Sequence, residues 1–303
     1  MHSVPGKTFL LGEHVATDGG PSILVSTNPR FDLFTNSLKN LQGSSPAHPF
    51  NEHSPAGKFY DRHAKDLEGL SFDFKDEHVG KGGLGASSAQ FILLMAQWRR
   101  VTTGSSALGG ESYPWSEVLK EYRACAWNGE GTPPSGADVV SQINGGVTYF
   151  DGRVQKSESL NWNFDSIGFT LIRTGHKLAT HEHLRAGGLV PHESLRKTVI
   201  EGHKAFQTAD EMRLIEAVQA AAHVLRESGL TTERTKGLLD QMRSDSHLFY
   251  AVKGCGAMGA DVILALHEKT KEADVAAWAA AKDLETCGAF SSLANGLVST
   301  EGN

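Results

Sequence analysis

Gly-Gly-Leu-Gly-Ala-Ser-Ser-Ala, residues 82–89, is a glycine-rich loop that runs directly into a helical pattern. Phe91, Leu94 and Met95 follow at helical spacing, so the sequence predicts a helix from residue 86 to about residue 102. The first turn of a helix has N–H groups without intrahelical partners, and glycine lets an anion approach the backbone closely. The segment therefore favours phosphate binding at the start of this helix.

Two further glycine-rich segments flank this one along the chain. Residues 5–14 read Pro-Gly-Lys-Thr-Phe-Leu-Leu-Gly-Glu-His, and residues 253–261 read Lys-Gly-Cys-Gly-Ala-Met-Gly-Ala-Asp. We call residues 5–14, 82–89 and 253–261 motif one, motif two and motif three. The Gly-Lys-Thr of motif one imitates the end of a Walker A loop, but that loop needs a glycine where Met1 stands. A P-loop nucleotide hydrolase is therefore excluded.

The order and spacing of the three motifs resemble those of the GHMP kinases, from residue 5 to about residue 266. The resemblance implies an α+β fold with a ribosomal-S5-like N-terminal domain, residues 1–165, and a ferredoxin-like C-terminal domain, residues 166–303. It also implies an active site between the two domains. The expected activity is that of a small-molecule kinase that uses ATP and Mg²⁺.

In this family, motifs two and three lie against the nucleotide phosphates. The resemblance assigns ATP and phosphate binding to Lys81, Gly83, Leu84, Gly85, Ala86, Ser87, Ser88, Gly256 and Ala257. Motif three departs from the family's Gly-Ala-Gly-Gly-Gly, because Met258 and Ala260 replace two of the glycines. These replacements reduce the backbone freedom of the loop.

The resemblance also implies a magnesium site. Aligned without a gap, Ser87 falls on the family's Mg²⁺-binding serine, and its neighbour Ser88 is the alternative ligand. Mevalonate kinases carry a second ligand, a glutamate, eleven residues before their catalytic aspartate, and Trp127 stands there in this chain. Glu130 and Glu121 are the two candidates to replace it.

Pro-Ser-Gly-Ala-Asp, residues 134–138, resembles the segment that carries the catalytic base of mevalonate kinases. The resemblance assigns this role to Asp138 and pairs it with Lys7 of motif one. A carboxylate close to a hydroxyl can accept its proton, and an adjacent ammonium keeps that carboxylate ionised.

Substrate contacts are expected at Glu13, His14, Gly256 and Lys177, and the acceptor is expected to be a small hydroxy acid. Glu13 and His14 match the Gly-Glu-His of mevalonate kinases, which favours mevalonate. Lys81, Asp261 and the absent glutamate favour mevalonate 5-phosphate instead. Another hydroxyl-bearing acceptor and a non-catalytic ligand sensor of the same fold stay open as alternatives.

Composition limits the partners and the compartment. The chain has 303 residues and a net charge of −6, so it has no basic footprint for nucleic acid or an anionic membrane. Its three cysteines form no CxxC pair, which argues against a zinc site or a disulfide framework. The absence of a signal-peptide pattern predicts a cytoplasmic protein, and family members are often homodimers.

The hydrophobic pattern predicts strands and helices without regular βαβ alternation, as expected for an α+β fold. The predicted strands are 8–11, 22–26, 168–173, 261–266 and 289–299. The predicted helices are 86–102, 115–128, 192–244 with a break at 228–229, and 270–285, and residues 40–58 are predicted to be a surface loop.

Overall fold

The computed structural model describes residues 1–37, 49–175 and 190–300. Its strands are β1 (His2–Leu11), β2 (Pro21–Ser37), β3 (Leu70–Asp76), β4 (Val147–Asp151), β5 (Lys156–Leu160), β6 (Ile167–Arg173), β7 (Ala251–Cys255), β8 (Val262–Glu268), β9 (Thr286–Ala289) and β10 (Val298–Ser299). Its α-helices are α1 (Glu13–Thr17), α2 (Pro55–Arg62), α3 (Ala86–Thr103), α4 (Trp115–Ala126), α5 (Ala137–Asn144), α6 (His192–Thr208), α7 (Glu211–Glu227), α8 (Glu233–Ser244) and α9 (Glu272–Ala280). Helices and strands are mixed, so the expectation of an α+β fold is confirmed.

The first sheet is antiparallel and has the strand order β10-β1-β2-β4-β5. Strand β2 is long enough to have two partners: Pro21–Val25 pairs with β4, and Phe31–Ser37 pairs with β3. The end of the described chain returns to its start, because β10 pairs with His2 and Ser3.

The second sheet is also antiparallel and has the order β7-β8-β6-β9. Along the chain, α6, α7 and α8 connect β6 to β7, and α9 connects β8 to β9. This is the β-α-β-β-α-β succession of a ferredoxin-like unit, and the described part of its first connection contains α6, α7 and α8.

Helix α3 lies in the middle of the main hydrophobic core. All residues of the segment 91–96 are fully buried, so this part of α3 is apolar on every side. The same core includes Leu10 of the first sheet and Phe169 and Leu264 of the second. Within the described ranges, no helix has the length and hydrophobicity that a membrane span requires.

Most of the predicted elements are confirmed, and four predictions need correction. The predicted helical block 192–244 has a second break besides the one at 228–229, because α6 ends at Thr208 and α7 begins at Glu211. The predicted strand 289–299 is wrong, because residues 290–292 form a 3₁₀ turn and only Val298–Ser299 pair with β1. The predicted helix 270–285 ends at Ala280. The predicted loop 40–58 contains the start of α2, where Ser54 caps the helix by accepting from the Gly57 N–H; residues 38–48 lie outside the described part of the chain.

Candidate active site

Motif two forms the turn before α3 and leaves a row of backbone N–H groups available for a ligand. Gly83 and Gly85 have φ angles of 86° and 87°, in the left-handed region that favours glycine. A Cβ at Gly85 would lie 2.9 Å from Cε of Lys7, so the site also lacks space for a side chain. Among the described residues, no acceptor meets the N–H groups of residues 84–88. Together with the dipole of α3, these groups attract an anion.

The carbonyl groups of the same turn are held from two sides. The Lys7 N–H donates to the Leu84 carbonyl at 3.0 Å, which ties motif one to motif two. The buried guanidinium of Arg173, at the end of β6, donates to the Gly82 carbonyl at 3.0 Å. A second N–H group of Arg173 lies 2.7 Å from Nδ1 of His78. The turn is therefore fixed through its carbonyls by both sheets, while the N–H groups of residues 84–88 have no partner in the part of the chain that the structure describes.

The two serines of motif two differ in their surroundings. The Ser88 hydroxyl is buried and lies 2.7 Å from Oε1 of Gln142, within reach also of the Gly85 carbonyl. The Gln142 amide in turn donates to the Pro5 carbonyl at 2.9 Å, so this pair joins α3, α5 and β1. Ser87 is exposed, and its hydroxyl has no hydrogen-bond partner in the described part of the chain. Ser87 is thus the serine whose hydroxyl is available to a ligand.

Asp138 occupies the first turn of α5, the helix that Gln142 joins to motif two. The preceding Gly136 has a φ of 77°, and a Cβ there would lie 2.3 Å from the Leu119 side chain, so glycine sets the direction in which α5 begins. Asp138 is half-buried. Burial, and then the nearby Asp138 carboxylate, raise the pKa of Tyr122 well above its ordinary value. Tyr122 therefore remains a neutral phenol beside this carboxylate.

Lys7 lies on β1 next to motif two, with its Nζ 5.0 Å from the centroid of the Phe9 ring. The Ser26 and Ser141 hydroxyls, 3.0 Å apart, attach α5 to the neighbouring strand β2. These contacts bring the elements of Lys7 and Asp138 together, but no ion pair joins the two side chains within the described structure. The direct pairing that the resemblance implies is not present here.

Lys81 lies just before motif two and is paired with an acidic residue that directly precedes β9 of the second sheet. Its Nζ is 2.7 Å from Oε1 of Glu285, and both side chains are about half exposed. The other oxygen of Glu285 lies 3.7 Å from Nε of Arg173. The Lys81 and Arg173 cations lower the pKa of this carboxyl, so it remains ionised.

The side chain of Asp261, the last residue of motif three, packs against Gly83 of motif two and Gly256 of motif three. A Cβ at Gly83 would lie 2.9 Å from Cβ of Asp261, and a Cβ at Gly256 would lie 2.6 Å from its Oδ2. Both glycines have φ angles of 86°. The two turns therefore approach each other so closely that neither position accommodates a side chain.

The carbonyls of motif three are held by the start of α8. The Thr232 N–H donates to the Met258 carbonyl at 3.1 Å, and the Thr235 hydroxyl donates to the Gly259 carbonyl at 3.1 Å. Met258 has a φ of 55°, a left-handed conformation at one of the positions where the family has glycine. The loop thus keeps a glycine-like backbone despite this replacement.

Glu13 is the first residue of α1, and it forms a buried ion pair that the sequence analysis did not anticipate. Its Oε1 lies 2.6 Å from Nζ of Lys253, and the Lys253 side chain has no exposed area. The lysine begins motif three, but its burial is visible only in the folded chain. The pair connects α1, which follows β1 of the first sheet, to β7 of the second sheet.

His14 follows Glu13 and is half-buried. Burial lowers the pKa of its imidazole; Glu13 opposes this shift, whereas Lys253 and His192 add to it. His14 is therefore a neutral imidazole near pH 7, able to donate one hydrogen bond and accept another.

The remaining predicted ligands are less well defined. Glu130 is exposed in the loop after α4, where its carbonyl accepts from Nε1 of Trp127. Glu121 lies 3.4 Å from Arg62, which commits its carboxylate to an ion pair. In the residues that the structure describes, no group of three His, Cys, Asp or Glu side chains forms a metal cluster. Lys177 and the side chain of Ala257 lie outside the described part of the structure.

Neither a protein-family model nor a curated protein matches the chain. Solved structures do match it over nearly their whole length. A Lin0012 protein from Listeria innocua is 19% identical, with a TM-score of 0.74 and coverage of 99% of both chains. The Methanococcus jannaschii mevalonate kinase is 13% identical, with a TM-score of 0.71 and coverage of 97% of this chain and 98% of that one.

A Streptococcus pneumoniae phosphomevalonate kinase, in complex with phosphomevalonate and AMPPNP, is also similar. It is 14% identical and has a TM-score of 0.74, with coverage of 95% of this chain and 99% of that one. The chain therefore has the fold of the GHMP kinases, as the three motifs led us to expect.

Proposed function

We propose that this chain is an ATP-dependent kinase of the GHMP type that phosphorylates the hydroxyl group of mevalonate. The observation that carries the proposal is the motif-two turn, whose N–H groups of residues 84–88 meet no acceptor among the described residues. The turn begins an 18-residue helix and is held beside Lys7. Such a turn suits the phosphates of a nucleotide, which a chain of net charge −6 must bind through local groups.

Mg²⁺ bound together with ATP would neutralise part of the negative charge of the phosphates. The residues fit such an ion, because Mg²⁺ in nucleotide sites needs only one or two protein ligands beside phosphates and water. The exposed hydroxyl of Ser87 is the ligand we propose at the start of α3. Ser88 is the poorer candidate, because its hydroxyl already donates to Oε1 of Gln142.

Asp138 is the proposed general base. It accepts the proton of the acceptor hydroxyl as that oxygen forms its bond to the transferred phosphorus, and ADP departs with the electrons of the broken bond. Lys7 stabilises the negative charge on the transferred group, since its side chain packs beside Gly85, its ammonium lies over the Phe9 ring, and no ion pair holds it among the described residues. Positioning and charge supply most of the rate enhancement in reactions of this type.

The surroundings of Lys81 and His14 favour mevalonate as the acceptor. Lys81, the lysine that would meet a phosphate on the acceptor, lies 2.7 Å from Glu285, so part of its charge is already neutralised. His14, the last residue of motif one, is a neutral hydrogen-bonding group, which suits a hydroxy acid.

Mevalonate 5-phosphate is the second candidate acceptor. Asp261 favours it, because this residue lies between Gly83 and Gly256, at a position where phosphomevalonate kinases often have aspartate. The ion pair of Lys81 is also exposed, and such pairs are worth only about 0–1 kcal/mol, so an incoming phosphate can displace Glu285.

The test is coupled ADP release from Mg·ATP, with mevalonate and mevalonate 5-phosphate supplied in parallel. Turnover with mevalonate alone supports the first proposal, and turnover with mevalonate 5-phosphate alone supports the second. A chain that binds Mg·AMPPNP but releases ADP with neither compound uses another hydroxyl acceptor or is a ligand sensor. A chain that binds no nucleotide is not a kinase of this type.

A further inference from the structure

Lys253 is a buried cation that forms hydrogen bonds to several neighbouring protein groups. It occupies β7 directly before the motif-three turn, and its side chain has no exposed area. Besides Glu13, its Nζ lies 3.2 Å from the Gly254 carbonyl and 3.4 Å from Sγ of Cys255. Burial lowers the pKa of Lys253, but the Glu13 carboxylate paired with it raises that pKa, so the residue is a charged ammonium. Because it has no exposed surface, any effect of Lys253 on a ligand must act through its neighbours.

Those neighbours reach two parts of motif one. At its C-terminal end, Glu13 is paired directly with Lys253 at 2.6 Å. In its middle, the Cys255 thiol donates to the Phe9 carbonyl at 3.3 Å. Burial raises the pKa of Cys255 to about 11, so the thiol keeps the proton that this hydrogen bond needs. The ring of Phe9 in turn lies 5.0 Å from Nζ of Lys7.

We infer that Lys253 is a positioning residue for the phosphoryl transfer, locking motif one against motif three through Glu13 and through Cys255. This inference rests on the proposed function. The lock fixes the strand that presents Lys7 and the first turn of α1 that presents His14, relative to the turn that begins at Gly256. The Lys253 side chain thereby sets the positions of Lys7 and His14 relative to the motif-three turn.

Two observations favour this role over a contribution to stability alone. A buried ion pair is a weak source of stability, because the loss of hydration offsets the attraction between its charges. An apolar pair of similar size would serve the core equally well. The pair also connects segments 240 residues apart, and it does so at the point where the two sheets present their ligand-facing turns.

The experiment compares Lys253→Met, Glu13→Gln and the double variant with the native chain. We expect Lys253→Met to lower the melting temperature by several degrees, because it leaves the Glu13 carboxylate buried without its cation. The double variant should recover most of this loss, since neither residue is then charged. Its kcat should nevertheless remain at least tenfold below that of the native chain, while its affinity for Mg·AMPPNP changes by less than about threefold.

The control is the exposed Lys120–Glu117 pair on α4, which consists of the same residue types 3.5 Å apart. Lys120→Met with Glu117→Gln should leave melting temperature and kcat unchanged. A double variant of Lys253 and Glu13 with native kcat would overturn the inference, because the pair would then be structural only.

A second measurement does not depend on turnover. Deuterium uptake by residues 6–12 and 256–260 should rise in the double variant of Lys253 and Glu13 while uptake in α3 stays native. Uniformly native uptake would overturn the lock, even if the native chain proved to be a kinase. If the native chain releases no ADP with any acceptor, the proposed function fails, and raised uptake still supports the contact between the two motifs.

Discussion

Motif two and motif three are both glycine-rich turns next to the start of a helix, but they use their backbones differently. In motif two, the carbonyls of Gly82 and Leu84 are held by Arg173 and by the Lys7 N–H, and the N–H groups of residues 84–88 meet no acceptor in the described part of the chain. The carbonyl groups of this turn are therefore held by the protein, whereas its N–H groups are available to a ligand.

Motif three is held by its carbonyls as well, through Thr232 and Thr235 of α8. Here, however, Met258 adopts a left-handed conformation, and the turn is linked to the buried Lys253 at its base. Glycine is required in motif two because the backbone must both adopt positive φ and leave room for Lys7. In motif three, glycine is required chiefly where Gly256 meets Asp261. The comparison supports our proposal that motif two supplies the backbone N–H groups for the phosphates, whereas the motif-three turn beside it is held more by contacts within the protein.

Replacement of the proposed base should have the largest effect. Asp138→Asn removes the group that accepts the proton, so kcat should fall by about 10²–10⁴-fold. Binding of Mg·AMPPNP should be retained, because motif two is unchanged. Asp73→Asn, at an exposed position of β3, is the matched control. Native turnover by Asp138→Asn, measured by coupled ADP release, would refute the assignment of the base.

Replacement of the two serines of motif two should have different effects: one should weaken ligand binding, and the other should lower stability. Ser87→Ala should raise the Mg²⁺ concentration needed for half-maximal turnover by about tenfold without changing stability, because its hydroxyl has no partner among the described residues. Ser88→Ala should instead lower the free energy of unfolding by about 1–3 kcal/mol, since it removes the hydroxyl that donates to the buried Oε1 of Gln142. Urea unfolding and a magnesium titration distinguish the two. The reverse assignment of effects would show that Ser88 is the ligand.

Acid should loosen motif two before motif three. Burial, and then the Arg173 cation, lower the pKa of His78 below its ordinary 6.5, so the imidazole is neutral and accepts from Arg173 at neutral pH. Because the folded-state pKa is the lower one, the unfolded chain binds the proton more tightly. The stabilisation is therefore complete above about pH 6.5 and is lost as the pH falls.

The expected consequence is a weaker hold on the Gly82 carbonyl in acid. Between pH 7.5 and pH 5.5, Mg·AMPPNP affinity should fall severalfold in the native chain and less in His78→Gln, after correction for the nucleotide's own titration. Deuterium uptake, corrected for the intrinsic rate, should rise in residues 82–88 but not in residues 256–260, since threonines hold motif three. An equal rise in both turns would contradict the difference between them.

The smallest effect is expected in motif three itself. Met258→Gly relieves a left-handed conformation that costs a residue with a Cβ about 1–2 kcal/mol, but it also increases the entropy of the unfolded chain. The net change in the free energy of unfolding should stay within about 1 kcal/mol, and nucleotide affinity should change by less than twofold. A large gain in affinity would show that motif three is a ligand surface limited by Met258.

The long elements could be predicted because their patterns are strong. The helix predicted from residue 86 to 102 is observed as Ala86–Thr103, and strand 168–173 lies within Ile167–Arg173. The short helices α1 and α5 were missed, because their starts are set by the left-handed Gly12 and Gly136 and not by hydrophobic periodicity. Tertiary contacts decide such elements.

The same limit applies to the candidate site. The sequence pattern identified motif two and Asp138, since local chemistry marks them. It could not distinguish Ser87 from Ser88, because that difference comes from Gln142 on another helix. It also missed the pairing of Lys253 with Glu13, since the partners lie 240 residues apart and only folding removes the lysine from water.

The most direct test of the central claim is a calorimetric titration of the native chain and of Gly85→Ala with Mg·AMPPNP. A methyl group at this position would lie 2.9 Å from Lys7 Cε and would occupy a backbone conformation with φ of 87°. We predict that the native chain binds one nucleotide and that Gly85→Ala binds it at least 100-fold more weakly while remaining folded. Equal affinity in the two chains, or no binding by the native chain, would contradict the assignment of motif two as the phosphate site.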